Sequence, residues 1–132
     1  MCFSRYAVSL LVLLGCNRAA APTPTPLAND SHPSHVHSIV EVGRGVEINL
    51  VFDGPHAATA TFRAESPLEW NVHSHPDGGV VVHQSGNAAD GAIQFRAPNA
   101  GTFSFLWKNK TSGPIALDVD LDTEPGVRRL SE

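Results

Sequence analysis

"IALDVDLD", residues 115–122, decides how this chain is read. Ile115, Leu117, Val119 and Leu121 fall on one side of an extended chain, and Asp118, Asp120 and Asp122 fall on the other. Successive strand side chains point to opposite faces, so a period of two with one apolar and one charged side describes a strand with one buried face. The three aspartates also have the spacing of a calcium ladder, but carboxylates opposite an apolar stripe are what any solvated strand face shows.

The same period runs through the preceding sequence. In "GVEINLVF", residues 45–52, Val46, Ile48, Leu50 and Phe52 alternate with Glu47 and Asn49; in "TFSFLWK", residues 102–108, Phe103, Phe105 and Trp107 alternate with Thr102, Ser104 and Lys108. Turn-forming residues separate the runs at 53–55, 66–67, 77–79, 85–87, 98–101 and 112–114. Short strands at regular intervals with no helical period indicate an all-β fold, a single antiparallel β-sandwich of about seven to eight strands. Its expected core includes Ile48, Leu50, Phe62, Phe95, Phe103, Phe105, Ile115, Leu117 and Val119, with Trp70 and Trp107 at the edges and their indole N–H groups reaching a partner.

This sandwich is expected over residues 37–123, followed by a C-terminal tail at 124–132. The first fifteen residues carry one basic side chain, Arg5, and an apolar run from Tyr6 to Leu14. That run is too short for a span, which needs roughly 18 apolar residues, and suits the core of a signal peptide. Leu13-Leu14-Gly15-Cys16 resembles the lipobox of bacterial lipoproteins. The resemblance implies cleavage after residue 15 and acylation of Cys16, with membrane attachment through the acyl chains. Asn17, in place of the Asp associated with inner-membrane retention, points to the outer membrane, facing the periplasm or the cell surface. Cleavage would discard Cys2, leaving Cys16 as the only cysteine and no intrachain disulfide. Residues 16–36 are rich in Pro, Ala, Ser and Thr and read as a flexible tether. With 9 basic and 13 acidic side chains, the chain is mildly acidic and has no basic patch, so nucleic acid is not an expected partner.

The stretch "IQFRAPNAGTFSFLWKNKTSGPIALDVDL", residues 93–121, resembles the last strands of GOLD domains, the β-sandwich modules of p24-type cargo and lipid-transfer proteins. Phe95, Pro98, Gly101, Phe103, Phe105, Asn109 and Ser112 occupy the matching positions. The match covers residues 93–121, and the paired cysteines of p24 proteins are missing. The resemblance implies a sandwich that binds an envelope protein or a lipid. Cupredoxins end similarly, but their copper ligands include a Cys and a His after this strand. Trp107, Lys108 and Asn109 stand there instead, and the only Met is Met1, which excludes a type-1 copper site. Asn109-Lys110-Thr111 matches a glycosylation acceptor by coincidence.

Seven histidines remain to be placed. In "WNVHSHPDGGVVVHQ", residues 70–84, His73 and His75 lie two apart, about 6.5 to 7 Å along one strand face, a spacing from which two imidazoles can converge on Zn or Cu. His83 is a third candidate ligand, and its side depends on register. Pairing His75 with Val80 turns His83 away, whereas pairing His73 with His83 puts all three rings on one face. Since Val72 points to the core, His73 and His75 face solvent and read first as ordinary surface histidines, with a metal site and a pH-sensitive contact as the alternatives. His35 and His37, at the end of the tether, are possible additional ligands, and His56, after a Gly-Pro turn, is expected to be solvated.

No nucleophile elbow, phosphate loop or paired-carboxylate motif is present, so no catalytic residue is assigned and no enzyme is expected. Two functions compete. One is a membrane-anchored, non-catalytic module that binds a protein, lipid or small ligand; the other is a periplasmic Cu- or Zn-binding protein using the His-x-His hairpin.

Overall fold

The computed structural model describes residues 34–131. The signal sequence, Cys16 and His32 lie outside that range. These residues form seven strands: β1 (Ser34–Val40), β2 (Gly45–Phe52), β3 (Ala57–Ser74), β4 (Val81–Arg96), β5 (Gly101–Lys108), β6 (Ile115–Thr123) and β7 (Val127–Arg129). The only helical element among the described residues is a 3-10 turn at Pro76–Gly78. All pairings are antiparallel.

The architecture follows from one long hairpin. β3 and β4, of 18 and 16 residues, pair along most of their length, and the other edge of β3 changes neighbour midway. Residues 58–64 pair with β6, and residues 69–73 pair with β5. Between Arg63 and Leu68 the register with β4 shifts, because four residues of β3 face one of β4. Such an insertion bends the strand, and the bend carries the hairpin from one layer into the other. One layer contains β1, β6, the first half of β3 and the end of β4. The second contains the start of β4, the end of β3, β5, β2 and β7.

Ser66-Pro67 and Ser85-Gly86-Asn87, expected as turns, therefore lie inside strands. Pro67 falls within the shifted segment, where a missing backbone N–H does least harm. Gly86 pairs with Trp70, whose ring lies where a Cβ would stand, 2.6 Å from its nearest atoms. Residues that break a strand in isolation here shape a continuous one.

The two layers bury one core. Every residue expected in it is buried, joined by Val40, Phe52, Leu68, Val72, Ile93, Leu121 and three alanines. Edge-to-face pairs cross between layers, Phe52 with Phe95 at 5.9 Å and Phe62 with Trp107 at 5.8 Å between ring centroids. Trp107 is not at the edge. It is 0 % exposed, stacks on Phe105 at 6.5 Å, and its indole N–H has no partner. Phe62 of the other layer and Phe105 of its own strand pack against it. Trp70 is half-buried.

The folded part starts earlier and ends later than expected. β1 occupies 34–40, inside the stretch read as tether, and pairs with β6 from Ser34↔Leu121 to Val40↔Ile115. β7, inside the stretch read as tail, pairs with β2. Ser34 and Ser38 sit at inward positions of β1 and Ile39 points out, which disguises its alternation. Neighbouring strands supply the apolar surface that β1 itself lacks.

Candidate functional site

The outer face of the second layer gathers the hairpin histidines. β5 lies between β2 and β3, with rows Glu47–Leu106–Asn71 and Asn49–Ser104–His73 running across the three strands. Val72 points into the core beside Phe105, so His73 takes the opposite face, as the alternation requires. It is not solvent-facing, however, being only 6 % exposed. Neighbours on that face enclose it. Its Nδ1–H donates to Asn71 Oδ1 at 2.7 Å, Glu47 Oε1 lies 3.8 Å from its Nε2, and the His75 ring stands perpendicular to it at 4.9 Å between centroids. Ser104, also buried, donates its hydroxyl to Asn49 Oδ1.

This enclosure sets the chemistry of His73. Because Asn71 Oδ1 can only accept, the proton sits on Nδ1 and the Nε2 lone pair faces Glu47. Loss of hydration pushes the imidazole below its ordinary range, against the pull of Glu47 and aided by His75, His83 and Lys108. Burial thus favours the neutral ring, with its tautomer set by Asn71 and its lone pair directed toward Glu47. Ligand atoms of Glu47, His73 and His75 lie within 4.8 Å of one another, His73 buried and the other two exposed. Glu47 was not singled out by sequence; only cross-strand register brings it to the histidines.

His83 does not join them. Near the turn the pairing is Ser74↔Val81 and His73↔Val82, and beyond it Val72↔Gln84. Both registers weighed from sequence therefore occur, joined by a bulge at His83, the unpaired extra residue of β4. Its Nε2 shares a hydrogen bond of 2.8 Å with Ser74 Oγ, and its ring lies over Phe103 and Phe95 at 5.3 and 5.6 Å.

Nor do His35 and His37. On β1 they face the aspartates of β6 in the other layer. His35 Nδ1–H donates to Asp120 and His37 Nδ1–H donates to Asp118, each at 2.7 Å. The Asp120 hydrogen bond holds the His35 imidazole above its ordinary range, and the hydrogen bond from His37 holds Asp118 below the usual carboxylate range. Two of the three carboxylates opposite the apolar stripe, Asp118 and Asp120, are thus paired to imidazoles. His56 is half-buried rather than solvated, with Nε2 bonded to Asp53 Oδ1 at 2.7 Å.

Next to the Glu47–His73–His75 group is an open depression of about 650 Å³, lined among others by Glu47, Asn49, His75, Thr102, Ser104 and Leu130. Beyond the 3-10 turn the hairpin tip is apolar. Val80, Val81 and Val82 are 63 %, 43 % and 55 % exposed. They lead into β4, which pairs with β3 alone among the described strands and leaves its other edge open.

No family model matches this chain, and no curated protein matches it. Solved structures do share its fold. PliG of Aeromonas hydrophila, a periplasmic inhibitor of g-type lysozyme, superposes with a TM-score of 0.60 at 15 % identity, over 76 % of this chain and 93 % of PliG. The Yersinia pseudotuberculosis-derived mitogen gives 0.55 at 9 % identity, over 77 % of this chain and 97 % of the mitogen. PirA gives 0.52 at 13 % identity, over 68 % and 93 %. At these identities the likeness is one of fold.

Proposed function

We propose that this protein is a non-catalytic binding module of the cell envelope, anchored through acylated Cys16 and presenting the tip of the β3–β4 hairpin to a protein partner. The observation that carries the reading is the run of three exposed valines, Val80–Val82, at the start of β4, an edge strand whose side away from β3 is open among the described strands. Isolated exposed apolar side chains are ordinary, but three in succession on an open edge combine apolar area with free backbone hydrogen-bonding groups. An extended segment of a partner can add to such an edge, with backbone bonds supplying affinity and flanking side chains supplying selectivity.

Three further features support it. Leu-Leu-Gly-Cys resembles a lipobox, which would direct the chain outside the cytoplasm; the C-terminal strands resemble those of GOLD sandwiches, which bind proteins or lipids; and the fold is shared with a periplasmic inhibitor, PliG. A protein partner suits the open edge better than a lipid does, since acyl chains offer nothing to its backbone groups.

The test is affinity purification from crosslinked envelopes, comparing wild type with the double variant Val81→Asp, Val82→Asp. Both side chains are exposed, so the fold should survive the change. Wild type is expected to retain a stoichiometric protein partner that the variant loses. Equal recovery by both would refute the hairpin as the binding surface.

A further inference from the structure

The outer face of the second layer carries a group that the hairpin tip does not use. We propose that Glu47, His73 and His75 form a site for a divalent transition-metal ion, Zn(II) or Cu(II), with one coordination position opening into the adjacent depression.

The donor set is chemically apt. Two imidazoles and a carboxylate suit borderline ions, and three protein ligands with one open position are the pattern of zinc sites that accept an external ligand. Bonds of about 2.0 to 2.2 Å to a tetrahedral ion place donor atoms roughly 3.3 to 3.5 Å apart. Here they already lie within 4.8 Å of one another. Closing the remainder takes side-chain rotation by Glu47 and His75, both exposed and free to move, while His73 stays fixed.

His73 is built as the anchor of such a site. Buried imidazole nitrogens are usually satisfied, and its Nδ1 is, through Asn71. Its Nε2 makes no hydrogen bond and is not among the fully buried atoms, so an ion can reach it. Glu47 Oε1 lies 3.8 Å away, beyond hydrogen-bonding distance and an acceptor like the lone pair it faces. A cation between the two would satisfy both. The Asn71 contact is what a metal-bound histidine requires of its second nitrogen, a hydrogen bond that sets tautomer and ring orientation. Histidine abundance alone does not produce this arrangement: His35 and His37 spend their Nδ1–H groups on aspartates, and His83 is engaged by Ser74.

Titration of the full chain, purified in detergent, with Zn(II) and Cu(II) tests the site. Calorimetry is expected to give one equivalent bound with a micromolar or tighter Kd, and the Cu(II) spin-resonance spectrum should show coupling to two nitrogens. His75→Ala and Glu47→Gln change exposed side chains, so they leave the fold intact by circular dichroism, and each should weaken binding at least about tenfold. His83→Ala and His37→Ala should leave the affinity unchanged. Millimolar binding by wild type would overturn the proposal. So would wild-type affinity in His75→Ala or Glu47→Gln, or an equal loss in His83→Ala or His37→Ala.

Discussion

Replacing Asn109 by Ala should destabilise the protein far more than its place in a loop suggests. Asn109 is 0 % exposed and sits between β5 and β6 at the end of the sandwich away from the histidines. Its Nδ2 donates to Val40 O at 2.8 Å and Gly113 O at 2.7 Å, and its Oδ1 accepts from Thr111 N at 2.8 Å. The Thr111 hydroxyl, with one proton, serves either Asn109 Oδ1 or Gly113 O. One side chain thus fastens β1 to the β5–β6 loop and closes that loop on itself. Three firm bonds at roughly 0.5 to 1.5 kcal/mol each, with at least one acceptor left buried and dry, give an expected loss of about 2 to 4 kcal/mol. That is a large share of the 5 to 15 kcal/mol typical of a domain. Denaturant unfolding followed by tryptophan fluorescence measures it, because Trp107 passes from full burial to water. Asn109→Asp separates hydrogen bonding from packing. It keeps the shape and the bond from Thr111 N–H but turns a carboxylate oxygen toward two carbonyls, so it should cost at least as much as Ala. A loss below about 1 kcal/mol for Ala, or a harmless Asp, would refute the reasoning.

Other consequences can be measured on the same protein. Phe105→Ala removes a ring packed against Phe95 at 6.1 Å and Trp107 at 6.5 Å, and should cost about 3 to 5 kcal/mol in the same unfolding assay. Glu124 is held below the usual carboxylate range by the Ala57 backbone N–H first, then by Arg96 and His56. A depressed folded-state pKa contributes stability above the unfolded value near 4.5 that is lost as pH falls through the folded one. The stability gap between wild type and Glu124→Gln should therefore narrow on acidification below pH 4.5, and a constant gap from pH 7 to pH 3 would contradict this. Mass spectrometry of protein recovered from membranes should find an acylated N-terminal Cys16; a free N-terminus beyond residue 16 would remove the anchor from the proposal.

Alternation made the fold legible because each strand buries one face, and the information for that is local. "IALDVDLD" and "GVEINLVF" place their apolar residues in the core as written. What stayed illegible depends on other strands. β1 was hidden because its inward positions include Ser34 and Ser38, and only β6 makes it a strand. The long hairpin was hidden because Pro67 and Gly86 signal breaks where the chain bends or yields to Trp70. At the site, alternation placed His73 on the outer face, but its burial there comes from Glu47, Asn71 and Ser104, two of them on strands distant in sequence. The bulge at His83 combines two registers, which no single pairing rule would select.

Site-specific photocrosslinking in living cells, with the probe at Val82 and, as a control, at exposed Val42 on the β1–β2 turn, tests the proposed function most directly. One discrete protein adduct is expected from position 82 and none from position 42. Identical adducts from both positions, or none from position 82 while the protein is correctly anchored, would contradict it.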